Sequence, residues 1–244
     1  MTRVISAVHR ITFGLAACVT LAAVPFPQRD VFKARLLSPF ERQKAEQLLR
    51  NRYPCLGCHQ LGGTGGKIGP ALDGLRSRRS PDYVFTMISD PQHLVPGAIM
   101  PRVPMPARTR ELIASYLLLG GGPARPATDV APRAPAGETP ADGASLYGKY
   151  CGPCHGPQGK GDGPNASSLA VRPTAHASAD AMSKRSDDAL FDTIFAGGYI
   201  MNRSNLMPPF GETLSREQIW LLVRQIRTLC RCQGPEWATD QQAR

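Results

Sequence analysis

Two copies of the pattern Cys-x-x-Cys-His, CLGCH from Cys55 to His59 and CGPCH from Cys151 to His155, constrain this chain more than any other feature. The spacing places two thiols on one short helical turn with an imidazole directly after them. Such a turn can bond the vinyl groups of a haem through sulfur while the histidine sits beneath the iron, so the pattern reads as c-type haem attachment. Zinc is the competing use of paired cysteines and a histidine. Zinc modules usually bring their pairs within about twenty residues of each other, whereas here a Pro-rich stretch lies between the pairs.

That stretch, residues 121–142, runs GGPARPATDVAPRAPAGETPAD and has few large apolar side chains. It cannot bury enough surface to fold. Proline keeps such a segment extended, so it is expected to act as a flexible linker that lets two small domains reorient. The 244 residues then divide into a leader at 1–29, a first domain at 30–120, the linker at 121–142, a second domain at 143–232 and a tail at 233–244. Domains of about a hundred residues or fewer bury their own apolar surface only marginally. A covalently held haem would complete each core.

The leader has a basic start with Arg3 and Arg10, then the apolar run from Ile11 to Val24. Its length suits a secretory signal peptide. Counted from Val4 to Phe26, the segment also suits a retained membrane anchor. Leu15-Ala16-Ala17-Cys18 resembles a bacterial lipoprotein box, with Cys18 as the acylated residue. Each reading exports the domains.

The segment CLGCHQLGGTGGKIGPALDGL with the later DPQHLVPGAIMP resembles the class I cytochrome c family in motif order and spacing. The resemblance implies an all-α fold, a covalent haem on Cys55 and Cys58, and His59 as proximal iron ligand. It further implies that Pro70 offers its carbonyl to His59, which orients the ring and raises its basicity, and that Met100 is the second axial ligand. Met105, also followed by proline, is the competing methionine. His93 stands at a variable position of the pattern and reads as a solvated helix end. The family has Gly and an aromatic residue where Gln47 and Asn51 stand. A helix from about Pro39 to Arg50 is still expected to pack on one from roughly Thr109 to Leu119.

The second domain resembles a bacterial relative of the same class. Gly143 and Tyr147 precede Cys151 at the spacing of a helix crossing, and CGPCHGPQGKGDGP follows. The resemblance implies Cys151 and Cys154 as thioether residues, His155 as proximal ligand, Pro164 as its carbonyl partner and Met207 as axial ligand. Met201 and Met182 are the competing methionines, and His176 reads as a surface-loop histidine. Ser215 with Gln218 has capping-box spacing. Leu214, Ile219, Leu222, Val223 and Ile226 form one apolar stripe on the helix that follows.

Cys230 and Cys232 are separated by one residue, and neighbours that close seldom meet disulfide geometry. Charge is uneven: residues 30–120 carry 13 Lys and Arg against 7 Asp and Glu, while residues 143–244 carry 11 against 9. The basic first domain, with Arg76, Arg78 and Arg79 close together, suits steering towards an acidic face of a redox protein partner. Neither nucleic acid nor a small-molecule substrate is expected.

The sequence therefore leads to an expectation of two covalently bound haem c groups, both His/Met ligated. The expected role is a single-electron carrier on the periplasmic side of the cytoplasmic membrane, anchored or peripheral. Two alternatives stay open. One is a haem enzyme of thiosulfate dehydrogenase-like or peroxidase-like type with one open or differently ligated iron. The other is an electron-transfer subunit of a larger membrane respiratory complex.

Overall fold

The computed structural model describes residues 31–120 and 142–239. The expected leader, most of the expected linker and the end of the tail lie outside the described residues. From Phe32 onwards the chain forms one compact unit. Among the described residues it is helical, with one two-stranded ribbon.

Helix α1 (Pro39–Gln47) begins where Ser38 accepts from the Glu41 amide and Glu41 accepts from the Ser38 amide, a closed capping box with proline at the first helical position. The helix continues through a wider turn at Leu48–Arg52. Ala45 and Leu49 are fully buried. They join Ile113, Tyr116 and Leu117 in one core; these belong to α6 (Ala107–Ser115) and its extension Tyr116–Gly120. The crossing thus uses Ala45 and Leu49, while Gln47 and Asn51 face solvent.

Between those helices lie α2 (Cys55–Cys58), the antiparallel strands β1 (Gln60–Leu61) and β2 (Thr64–Gly65), α3 (Leu75–Arg78), α4 (Pro81–Ser89) and α5 (Pro91–Leu94). Ser80 caps α4 and Asp90 caps α5 through their side chains. Phe32 stacks on Phe85 with centroids 4.5 Å apart, fixing the incoming chain on α4.

The second half starts with α7 (Gly143–Leu146), which runs through Tyr147–Cys151 into α8 (Gly152–His155). A short turn at Ala166–Ser168 precedes α9 (Ala179–Met182), α10 (Asp187–Ile200), α11 (Arg216–Cys230) and α12 (Glu236–Thr239). Ser215 and Gln218 form the second closed capping box. Leu214, Ile219, Leu222, Val223 and Ile226 are all buried, each contributing about 1.5–3 kcal/mol of burial. At Gly143 a Cβ would stand 2.6 Å from the Leu221 carbonyl oxygen, so α7 crosses α11 at a distance only glycine permits.

Cys230 and Cys232 form a disulfide with Cα atoms 5.1 Å apart, against the expectation that such close neighbours would not pair. Arg231 adopts the left-handed conformation with φ 51° at the end of α11, which turns both side chains to the same side.

The two halves pack directly on each other, where freely reorienting domains had been expected. Asn205 donates to the Arg50 carbonyl at 3.1 Å, and the Arg102 amide donates to Thr213 Oγ1 at 3.0 Å. Arg102 also pairs with Glu212 at 3.4 Å, and the Arg52 guanidinium lies 3.9 Å from the Tyr199 ring centroid. Leu206 packs onto the first core.

Candidate haem attachment sites

Pro54 ends the preceding helix and α2 supplies a single turn, so Cys55 and Cys58 come onto one face, each half-buried. Burial pushes the Cys55 thiol up to about 11 and the Cys58 thiol up to about 12; the neighbouring Cys154 and Cys55 add smaller upward contributions at Cys58. His59 leaves the helix in extended conformation. Its Nδ1 lies 2.7 Å from the Pro70 carbonyl oxygen. With Nδ1 donating there, Nε2 keeps its lone pair for a metal. Burial lowers the His59 pKa, opposed by the Pro70 bond. A Cβ at residue 69 would stand 2.5 Å from ring atoms of His59, so Gly69 gives the imidazole its space.

The second motif repeats the construction with a different partner. Cys151 is buried and its thiol is pushed up to about 12 by burial, with Cys154 adding to the shift. His155 Nδ1 lies 2.9 Å from the carbonyl oxygen of Thr174. Pro164, expected in that role, is exposed. The physical reason lies in the loop: Gly156, Gly159 and Gly161 all take positive φ. The loop folds back through the Gly161 amide to the His155 carbonyl at 2.8 Å and the Gly163 amide to the Cys154 carbonyl at 3.2 Å. That turn carries Pro164 away and brings the 172–174 stretch past the histidine.

His176 differs most from its expected place in a surface loop. It is 7% exposed. Its ring stacks on His155 with centroids 4.0 Å apart and planes 13° apart. Nδ1 shares a hydrogen bond with the buried Tyr147 hydroxyl at 2.9 Å. Burial first, then the charges of His155 and Arg185, hold its pKa well below the usual histidine value. The Arg-Pro-Thr stretch before it could have signalled a chain pinned under the histidine, but nothing in the residue itself marked it as buried.

The methionines are placed as follows. Met100 is half-buried, and its carbonyl accepts from Gln92 Nε2 at 2.7 Å. Met105 packs against the first core. Met207 packs against the second core, and its carbonyl accepts from the Gly198 amide at 3.0 Å. Met182 is fully buried within that core, and Met201 is half-buried. His93 is exposed in the last turn of α5.

The residues present fit haem. Each motif offers two thiols on one turn and an imidazole whose second nitrogen is already committed to a carbonyl. Arg78 supports the fit at the first site. Its Nη2 donates to the Ala71 and Asp73 carbonyls, both at 2.6 Å, while Nε is buried without a partner among the described residues. A haem carboxylate would satisfy such a donor. Three or more Cys, His, Asp or Glu side chains gathered as a metal cluster occur nowhere among the described residues.

Comparison with known proteins agrees at the second site. Residues 138–225 match the family model described as Cytochrome C oxidase, cbb3-type, subunit III. No curated protein matches the chain. Among solved structures, the Kuenenia stuttgartiensis reducing HAO-like protein complex is similar at 22% identity over 71% of this chain and 79% of that one, with a TM-score of 0.31. The second motif, its glycine loop and most of α11 thus lie within a domain of the cytochrome c family, the one that residues 138–225 form.

Proposed function

We propose that the chain is a two-haem c-type cytochrome that carries single electrons between redox protein partners. The observation that carries this reading is the repeated proximal arrangement: His59 with Pro70 and His155 with Thr174, each directly after two cysteines on one helical turn. Haem, once attached, supplies a one-electron couple at each site. The protein's own contribution is to fix both imidazoles and to desolvate the attachment edges, and Met100 and Met207 would supply the sulfur ligands. Methionine in that position favours a higher potential.

Closed coordination at both irons would leave no position for a substrate, so the role is transfer rather than transformation. Arg76 and Arg79 are exposed on the basic first half and suit an acidic partner; Arg78 is committed to backbone carbonyls and does not belong to that face. Read as an export signal or anchor, the leader would put the chain on the periplasmic side of the membrane.

Removing the two motifs separately tests the reading. Cys55→Ala with Cys58→Ala, and independently Cys151→Ala with Cys154→Ala, should each halve the covalent haem of the purified chain. Unchanged haem content after the first pair of substitutions would reduce the protein to a one-haem cytochrome.

A further inference from the structure

Asn165 directly follows Pro164, at the end of the glycine loop of the second motif. It is fully buried at 0% exposure. Its own amide donates to the Pro153 carbonyl at 3.0 Å, which ties it to the second motif's backbone. Its side chain makes both of its short bonds to the first half, one of them inside the first motif. Nδ2 donates to the Gly57 carbonyl at 2.6 Å, and Oδ1 accepts from the Lys67 amide at 2.7 Å. Nδ2 also lies 3.4 Å from Cys154 Sγ. Gly57 stands between Cys55 and Cys58. One carboxamide therefore bridges the interior of one Cys-x-x-Cys-His motif to a haem-attachment sulfur of the other.

The surroundings are shaped for that bridge. A Cβ at Gly66 would stand 2.8 Å from both Asn165 side-chain heteroatoms, and a Cβ at Gly57 would run into the Leu206 carbonyl. Both glycines admit the second half against the back of the first motif. Besides the Leu206 carbonyl against Gly57, the contacts across this boundary made by Asn205, Arg102 and Arg52 touch neither motif. A buried carboxamide needs its bonds satisfied, which fixes its orientation closely.

We propose that Asn165 is a positioning residue that pins the two Cys-x-x-Cys-His motifs edge to edge, so that the two redox centres form one coupled pair. The inference rests on the two-haem reading above. An electron passing between the centres oxidises one and reduces the other, with no bond made and no proton moved. The work of Asn165 is to hold the separation and orientation across which that exchange occurs. Once bonded to haem, the Cys154 sulfur would be a thioether whose lone pairs could still accept from Nδ2.

The test uses the full chain with haem attached. Haem per chain is measured first, then the magnetic interaction between the two oxidised centres by electron paramagnetic resonance. Asn165→Ala removes all three side-chain contacts. Asn165→Asp keeps the acceptor for Lys67 but sets a carboxylate oxygen against the Gly57 carbonyl. Asn205→Ala removes bonds at the same boundary without touching either motif. With two haems per chain throughout, the interaction should fall several-fold in both Asn165 variants and stay at the native value in Asn205→Ala. Equal effects from Asn165→Ala and Asn205→Ala, or an interaction unchanged in the Asn165 variants, would overturn the positioning role while leaving the two-haem reading intact. One haem per native chain would remove both.

Discussion

His176 lies flat against His155, 4.0 Å between ring centroids, and is itself held from behind by the Tyr147 hydroxyl. Two aromatic side chains from separate stretches, His176 directly and Tyr147 behind it, thus fix the ring expected to bind iron. Tyr147 is 1% exposed, so neither polar end of the Tyr147–His176 pair has water to turn to.

His176→Phe keeps a ring over His155 but leaves the Tyr147 hydroxyl without its partner. The loss should be about 1–3 kcal/mol in denaturant unfolding of the haem-loaded protein. Tyr147→Phe should cost a similar amount, and the double variant should cost less than the sum of the two. Haem content should be unchanged in His176→Phe. Simple additivity in the cycle would show that the pair does not interact.

Arg227 joins α11 to the start of α10 and the end of α9. It pairs with Asp187 at 2.7 Å and donates to the Met182 carbonyl at 2.8 Å and the Arg185 carbonyl at 2.5 Å. Its side chain is 14% exposed. Arg227→Met leaves a carboxylate and two carbonyls without donors and should cost about 2–4 kcal/mol. Arg227→Lys should recover only part of this, because one ammonium cannot reproduce the planar fork. Thermal or denaturant unfolding reads both.

The acid limb of stability should depend on Glu41. The Arg35 side chain, then the Ser38 amide, hold the Glu41 carboxyl down to about 2. Its unfolded value is about 4.3. The contribution is therefore full above that value, shrinks as pH falls below it and is gone once pH has passed through the folded value. Glu41→Gln keeps an oxygen for the capping box and loses the ion pair. Unfolding curves between those two pH values should be flatter for Glu41→Gln than for the native chain, by a small amount because the pair is exposed and screened. Identical acid limbs would exclude the pair.

How much of this was legible beforehand follows from what is local. The capping box at Ser215 and the apolar stripe of α11 depend on residues within one or two turns, and each is visible as spacing, whereas the Gly143 crossing pairs it with Leu221 and was legible only through the resemblance. The Pro70 carbonyl does face His59, a relation carried by a compact Gly-Pro loop. Thr174 could not be read the same way. It lies 19 residues from His155, and the path between them is set by positive φ at Gly156, Gly159 and Gly161. Those glycines were visible; the direction in which they turn the chain was not. The burial of His176 follows from the same turn. The Asn165 bridge spans 108 residues to Gly57, and an asparagine after Gly-Pro in a loop has no local mark of such a partner. The Cys230–Cys232 bond needed the left-handed Arg231, a conformation uncommon for a residue with a side chain.

Two haems held by paired histidine and methionine ligands would show in the optical spectrum of the oxidised and reduced protein. Haem would be quantified per chain, and the weak sulfur-to-iron band at the red edge would be followed with and without cyanide. The expected result is two haems, that band at full intensity for two centres and no change on adding cyanide. One haem, a band at half intensity or a rapid reaction with cyanide would contradict it.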